Sequence, residues 1–269
     1  MTRTLTGIFF VAAIVSAIYF HPYGFLALFA VVVGLALWEF YGLDLERMGW
    51  RKPAGIAGGM YLFTASFFYA GGFVSHIIFY PYILFLIVLL ISSLYLSAPN
   101  PIRNCAMIFF PQFYCAGLLS TMNFIVFDPA TKQYFPWFAL LIFLFVWLND
   151  TGAYLTGITL GKHRLFQRIS PLKSWEGFIG GITITSLASL GIAYFFPEFI
   201  SWYHSLTLAI ITGIFATYGD LVESLLKRIV GVKDSGTLMP GHGGVLDRFD
   251  SVVMVIPVAF LYIDLFIRN

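Results

Sequence analysis

The sequence predicts an all-α fold, a polytopic integral membrane bundle of about nine transmembrane helices, and three observations carry that expectation. Of 269 residues, 59% are hydrophobic and only 10% are charged, where an ordinary soluble domain carries about a quarter charged residues. Apolar runs of about 20 residues, enough to cross a hydrocarbon core of ~30 Å, recur along the whole chain. Those runs are continuous rather than alternating, which selects helices over a closed β-barrel.

Taken in order, the spans fall at roughly 5–20, 23–42, 55–73, 77–97, 104–124, 135–159, 177–196, 204–219 and 251–267. The first has the basic start and short core of a signal peptide. It lacks an A-x-A-like cleavage site and a full-length run follows at once, so it is expected to remain as a helix. The second carries Glu39 in "ALWEFYG" near its cytoplasmic end. An acid there either serves function or snorkels to the interface, and both readings stand. In the third, Gly55 and Gly59 have the small-xxx-small spacing of close helix packing. The fourth leads through "SAPNPIRN" into the fifth, where Cys105 and Cys115 lie about 15 Å apart along one helix and cannot bridge. They read as small apolar core residues.

Charge becomes informative from the sixth span on. Asp150, in "WLNDTGAY", sits about ten residues inside it, too deep to snorkel, and so marks a site. Before the seventh, "SPLKSWEG" (Ser170 to Gly177) reads as a turn into a helix N-terminus, a natural anion site. Leaving the eighth, Asp220, Glu223, Ser224, Lys227 and Arg228 fall at i, i+3, i+4, i+7 and i+8, one polar helical stripe. Asp247 and Asp250 lie three apart at the start of the ninth. With the N-terminus inside, nine spans place thirteen of the fifteen Lys and Arg residues in the cytoplasm and leave only Lys132 and Arg268 outside. That is the positive-inside pattern of an N-in, C-out protein. Arg47, Arg51 and Lys52 are expected to meet anionic lipid heads.

No soluble domain, repeat or low-complexity tract interrupts the pattern, so residues 1–269 are expected to form a single membrane domain. Residues 1–135 supply mainly scaffold helices. Residues 136–269 form the catalytic half, with polar cytoplasmic loops at 160–176 and 220–250.

Carboxylates approaching one face from the sixth, eighth and ninth spans repel each other unless a cation neutralises them. A hard divalent ion fits, because Mg²⁺ prefers oxygen and is typically shared between one or two carboxylates and substrate phosphates. No His/Cys spacing suggests zinc and no P-loop appears. Taken singly, Asp220, Asp247 and Asp250 have the alternative of salt bridges to Arg228, Lys233 or Arg248. Lys173, Lys227, Arg228, Lys233 and Arg248 stand next to glycine-rich backbone, and "PGHGG" presents bare amides. Metal, lysines and amides together are what a polyphosphate needs.

The stretch "SLLKRIVGVKDSGTLMPGHGGVLDRFD", Ser224 to Asp250, resembles the signature of the phosphatidate cytidylyltransferases, also called CDP-diacylglycerol synthases. Ser224, Lys227, Arg228, Lys233, Asp234, Gly236, Pro240, His242, Gly243, Gly244, Asp247, Arg248 and Asp250 meet its fixed positions. "NDTGAYLTGITLGKH" and "SPLKSWEGFIGG" look like the upstream blocks, so the resemblance covers at least residues 149–251. Leu172 and Ser174 stand where the family often has lysine and threonine, which leaves Lys173 as that block's phosphate contact. Met239 replaces another large apolar residue.

The resemblance implies a multi-pass enzyme of the inner (plasma) membrane, commonly a homodimer, joining CTP and phosphatidate to give CDP-diacylglycerol and pyrophosphate on the cytoplasmic side. Nucleic acid is not an expected partner. A phosphate monoester is already anionic near neutral pH, so attack on the α-phosphorus needs charge neutralisation and in-line positioning rather than a strong base. The expected metal ligands are Asp220 and Asp247, with Asp150 and Asp250 beside them, holding Mg²⁺ alone or with a second cation. Lys227, Arg228, Lys233 and Arg248 are expected to act in catalysis by neutralising phosphate. His242 either donates to a phosphate or is structural. Substrate contacts are expected from Lys173, Ser170, Ser224, Asp234, Gly241, Gly243 and Gly244. No base is visibly paired with Ser224, which argues against a nucleophile.

Three rival readings are weaker. The CDP-alcohol phosphotransferase motif is absent, since no D-G-x₂-A-R precedes "GVLDRFD". A CTP-dependent polyprenol kinase would also need a nucleotide pocket and a lipid acceptor. A transporter would often show two related halves, whereas the polar residues here crowd into one.

Overall fold

The computed structural model describes residues 2–43, 49–95, 100–236 and 243–268, with the backbone alone for residues 2–6 and 101. Helix forms on each of the nine apolar stretches. In chain order these are α1 (Thr2–Phe20), α2 (Pro22–Gly42), α3 (Arg51–Ala70) and α4 (Tyr80–Ser92), the last flanked by the short turns His76–Phe79 and Ser93–Tyr95. Next, α5 (Pro101–Pro111) passes through a π-helical segment, Gln112–Gly117, into α6 (Leu118–Ser120) and α7 (Met122–Val126). After α8 (Trp137–Leu160) come β1 (Arg164–Phe166), β2 (Ser170–Ser174), α9 (Trp175–Phe195), α10 (Trp202–Ile229) and α11 (Leu246–Tyr262). Among the described residues seven segments are long and apolar enough to cross a membrane: α2, α4 with its turns, the α5–α7 run, α8, α9, α10, and α11 with the π segment that follows it. The protein is an all-α membrane protein with one small hairpin.

Two compact units emerge, Met1–Trp137 with Asp234–Arg248, and Phe138–Lys233 with Phe249–Asn269. In the first, Phe25, Phe29, Phe63 and Phe67 from α2 and α3 are fully buried and their rings meet at 5.0–6.5 Å. Lipid tails are as apolar as these rings, so shape and buried polar bonds rather than water exclusion hold such helices together. Gln112 supplies the bonds: its Nε2 donates to Tyr41 Oη (2.7 Å) and Gly55 O (2.8 Å), and its Oε1 accepts from Tyr82 Oη at 3.1 Å. It begins the π segment directly after Pro111, whose missing amide breaks the α-helical ladder and allows the wider turn. A Cβ on Gly55 would lie 2.5 Å from Tyr41 Oη, and one on Gly59 would overlap Leu37, so both glycines serve close packing as their spacing predicts.

Arg51 departs from its expected role. It is buried, and its guanidinium donates to Ser92 Oγ (2.9 Å) and Ser92 O (2.6 Å), satisfying a carbonyl at the end of α4 instead of meeting lipid heads. Lys52 lies over the Trp38 ring at 4.6 Å. Arg47 falls outside the described residues.

In the second unit α9 buries a face of small residues four apart, Gly177, Gly181, Thr185, Ser189 and Ala193. A Cβ on Gly181 would lie 2.8 Å from both Asn149 O and its Oδ1, and one on Gly213 of α10 would lie 3.0 Å from that same Oδ1. Small residues thus let α8, α9 and α10 approach, with Ser205 Oγ donating to Ser189 O at 2.9 Å. Gly219 does the same between α10 and α11, where its Cβ would meet Asp250 O at 2.6 Å.

Between α8 and α9 the expected loop 160–176 contains the antiparallel hairpin of β1 and β2, Arg164 opposite Ser174 and Phe166 opposite Ser170. Glu176 ties its base. The carboxylate accepts from the amides of Lys162 (3.1 Å) and His163 (3.2 Å) and contacts His163 Nδ1 at 2.6 Å. Ser174 Oγ accepts from the Gly177 amide at 3.1 Å, so β2 ends in an N-capped helix as "SPLKSWEG" suggests. Further on, Asp220 to Ile229 continue α10, so the first third of the expected loop 220–250 is helical.

Candidate active site

The second unit holds a cleft of about 660 Å³ lined by α8, the hairpin, α9 and α10, with Asp150, Lys173, Asp220 and Thr217 among its polar walls and Tyr154, Ile158, Leu172 and Phe178 among its apolar ones. The pleat of β2 explains the lysine. Leu172 is 84% exposed, while the next side chain, Lys173, points the other way and is half-buried. Its ammonium reaches Asp220 Oδ2 at 2.6 Å and the Thr217 carbonyl at 3.4 Å. One turn along α10, Ser224 Oγ donates to Asp220 Oδ1 at 3.2 Å, the bonding role expected of it.

Close passage of α11 at Gly219 brings a second acid to this point. Asp250 accepts from the Ser251 amide at 2.6 Å, and its charge is repelled by Asp220 and Asp150 and attracted by Lys173. Asp150, Lys173, Asp220 and Asp250 all belong to the second unit, where Asp250 is within electrostatic range of the other three. Among the described residues, however, no three acids are arranged so that they could hold a metal ion as they stand.

Other expected residues are placed elsewhere. Lys227 forms an ion pair with Glu223 on the same helix, both buried. Arg228 is exposed and donates to Val232 O at 3.2 Å, beyond the end of α10. Lys233, Asp234 and Arg248 are exposed, and Ser170 pairs with Phe166 outside the cleft lining. Gly241 and His242 lie outside the described residues.

In the first unit a cluster forms around Glu39. Its carboxylate, 5% exposed, accepts from the amides of Val245 and Leu246, both at 2.8 Å, and from Ser235 Oγ at 3.1 Å. Asp247 accepts from the amides of Ser235 (3.0 Å) and Gly244 (2.8 Å). Gly243 adopts φ +80°, a conformation glycine favours, beside the Asp247 carboxylate. Snorkelling is therefore not what Glu39 does. Its role was only half legible in the sequence: an acid in a greasy helix signals a site, but no local pattern names its partners.

Fold and cleft together define a class, a polytopic membrane protein with acids and a lysine brought together in its second unit. The chain belongs to the cytidylyltransferase family, whose model matches residues 1–266. It is 50% identical over 121 residues to a phosphatidate cytidylyltransferase of Staphylococcus aureus (strain COL), a match covering 45% of this chain and 46% of that protein. Over the same shares it is 49% identical to proteins of that name from Staphylococcus haemolyticus (strain JCSC1435) and Staphylococcus saprophyticus. The chain thus spans about half the length of the curated relatives it matches.

Proposed function

We propose that the protein is a phosphatidate cytidylyltransferase, making CDP-diacylglycerol and pyrophosphate from CTP and phosphatidate. The observation that carries this reading is the Lys173–Asp220 pair with Asp150 and Asp250 around it, in a chain of the cytidylyltransferase family. A phosphatidate oxygen bonds to the α-phosphorus of CTP as the bond from that phosphorus to the bridging oxygen of the pyrophosphate breaks. Both reactants enter as anions, so charge has to be offset where they meet, and no general base is required.

Lys173, anchored at both Asp220 and the Thr217 carbonyl, presents an ammonium with little rotamer freedom left to lose. Asp150, Asp220 and Asp250 would hold Mg²⁺, alone or with a second cation. When bound, that ion offsets phosphate charge and polarises the phosphoryl group under attack. Asp247 is an expected metal ligand on the strength of the motif resemblance alone. Arg228, Lys233 and Arg248 are exposed cations suited to the triphosphate. The apolar walls beside Asp150 and Lys173 suit a phosphate carried on acyl chains. Nine spans with the N-terminus inside and a cytoplasmic cleft in the plasma membrane complete the reading, supported by the distribution of Lys and Arg and by the bacterial relatives, and the motif resemblance adds a homodimer.

Purified protein in phosphatidate vesicles with Mg²⁺ tests it. CTP labelled in the α-phosphate should pass its label to the lipid with release of pyrophosphate. Label entering from the γ-phosphate would instead mark a lipid kinase, and no transfer from either position would defeat the assignment.

A further inference from the structure

Glu39 lies on α2, 196 residues before Ser235, yet its buried carboxylate gathers three donors from residues 235–246. Val245 immediately precedes α11 and Leu246 opens it, where amides lack intrahelical acceptors, so Glu39 does for α11 what an N-cap does, but from another helix. Ser235 links this carboxylate to a second one. Its hydroxyl donates to Glu39 and its amide donates to Asp247.

Two glycines are shaped by the same contact. A Cβ on Gly236 would lie 2.7 Å from Glu39 Oε1, and one on Gly244 would overlap Glu39 Oε2 and Ser235 Oγ. Both belong to the motif that resembles the family signature, and at both the absent side chain makes room for Glu39.

We propose that Glu39 is a positioning residue for cytidylyl transfer: it fixes Ser235 and the first turn of α11 and through them orients the Asp247 carboxylate. This rests on the function proposed above. Glutamine at position 39 keeps the shape and one acceptor oxygen, but turns the other into an NH₂ group facing a donor.

Wild type, Glu39→Gln, Asp247→Asn and the double variant are compared in phosphatidate vesicles with CTP. Glu39→Gln should lower kcat about ten-fold or more, the scale of one charge-assisted hydrogen bond, with KM for CTP changed less than about two-fold. Added to Asp247→Asn it should cost nothing further, because both act through one group. Losses that multiply, or wild-type kcat in Glu39→Gln, overturn the proposal.

Hydrogen exchange supplies a readout independent of turnover. The Val245 and Leu246 amides should exchange about ten-fold faster in Glu39→Gln while α8 to α10 are unchanged. Unaltered exchange at those two amides overturns the proposal whatever the activity. If Glu39→Gln does not fold, Ser235→Ala, which removes only the hydroxyl link, carries the same cycle with the same criteria. Wild-type protein that makes no CDP-diacylglycerol defeats the assigned activity, and exchange then decides the role of Glu39.

Discussion

Glu39 and Asp220 are both acids within largely apolar helices, and their surroundings are opposite. Glu39 is saturated: two backbone amides and a hydroxyl converge on a carboxylate that solvent hardly reaches. Asp220 is about a third exposed, pairs with Lys173, and faces a cleft. A carboxylate whose lone pairs are filled by backbone donors holds structure in place. Acids that outnumber their cations keep the capacity to bind another, and that is the difference between a fastening and a site.

Substitutions that separate stability from turnover test the contrast. The largest effect is expected from Glu39→Ala, which leaves two buried amides without an acceptor. Unfolding in detergent should show a loss of roughly 3 kcal/mol or more, from two charge-assisted bonds at ~1.5–3 kcal/mol each. Asp220→Asn should do the reverse. Turnover falls by about a hundred-fold or more, the scale of removing one preorganised electrostatic group, while stability shifts by less than about 1 kcal/mol because the ion pair is partly exposed. Equal damage to stability from both would erase the distinction.

Smaller effects sharpen it. Gly244→Ala drives a methyl into Glu39 and Ser235 and should destabilise by about 1–3 kcal/mol. Gly191→Ala, in α9 of the second unit, meets nothing within 4 Å. It should be neutral or stabilise the helix by up to about 1 kcal/mol. Parallel thermal unfolding of the two variants decides whether the crowding at Gly244 is real.

Much of this was legible in the chain because the signals are local. Hydropathy over twenty residues located every long helix, and the spacing of Asp220 and Ser224 put both on one polar stripe of α10. Asp150 stands out by its depth in an apolar run, Asp220 and Asp250 by helical spacing, and Lys173 by the block that resembles the family. Local signals also misled. Arg51 reads as a juxtamembrane cation, but Ser92, 41 residues away, claims its guanidinium. Lys227, on the polar stripe of α10, pairs with Glu223 one turn back on the same helix face.

By itself the sequence determined the all-α membrane class and the polar stripe of α10, since each depends on hydrophobicity or on spacing within one helix. Tertiary structure alone decided what those groups touch. It paired Lys173 with Asp220 across 47 residues, brought Asp250 to Asp220 through the close passage at Gly219, and bound Glu39 to amides 206 and 207 residues later. The physical reason is that a buried carboxylate is completed by whichever donors the fold delivers, and sequence separation carries no information about which those are.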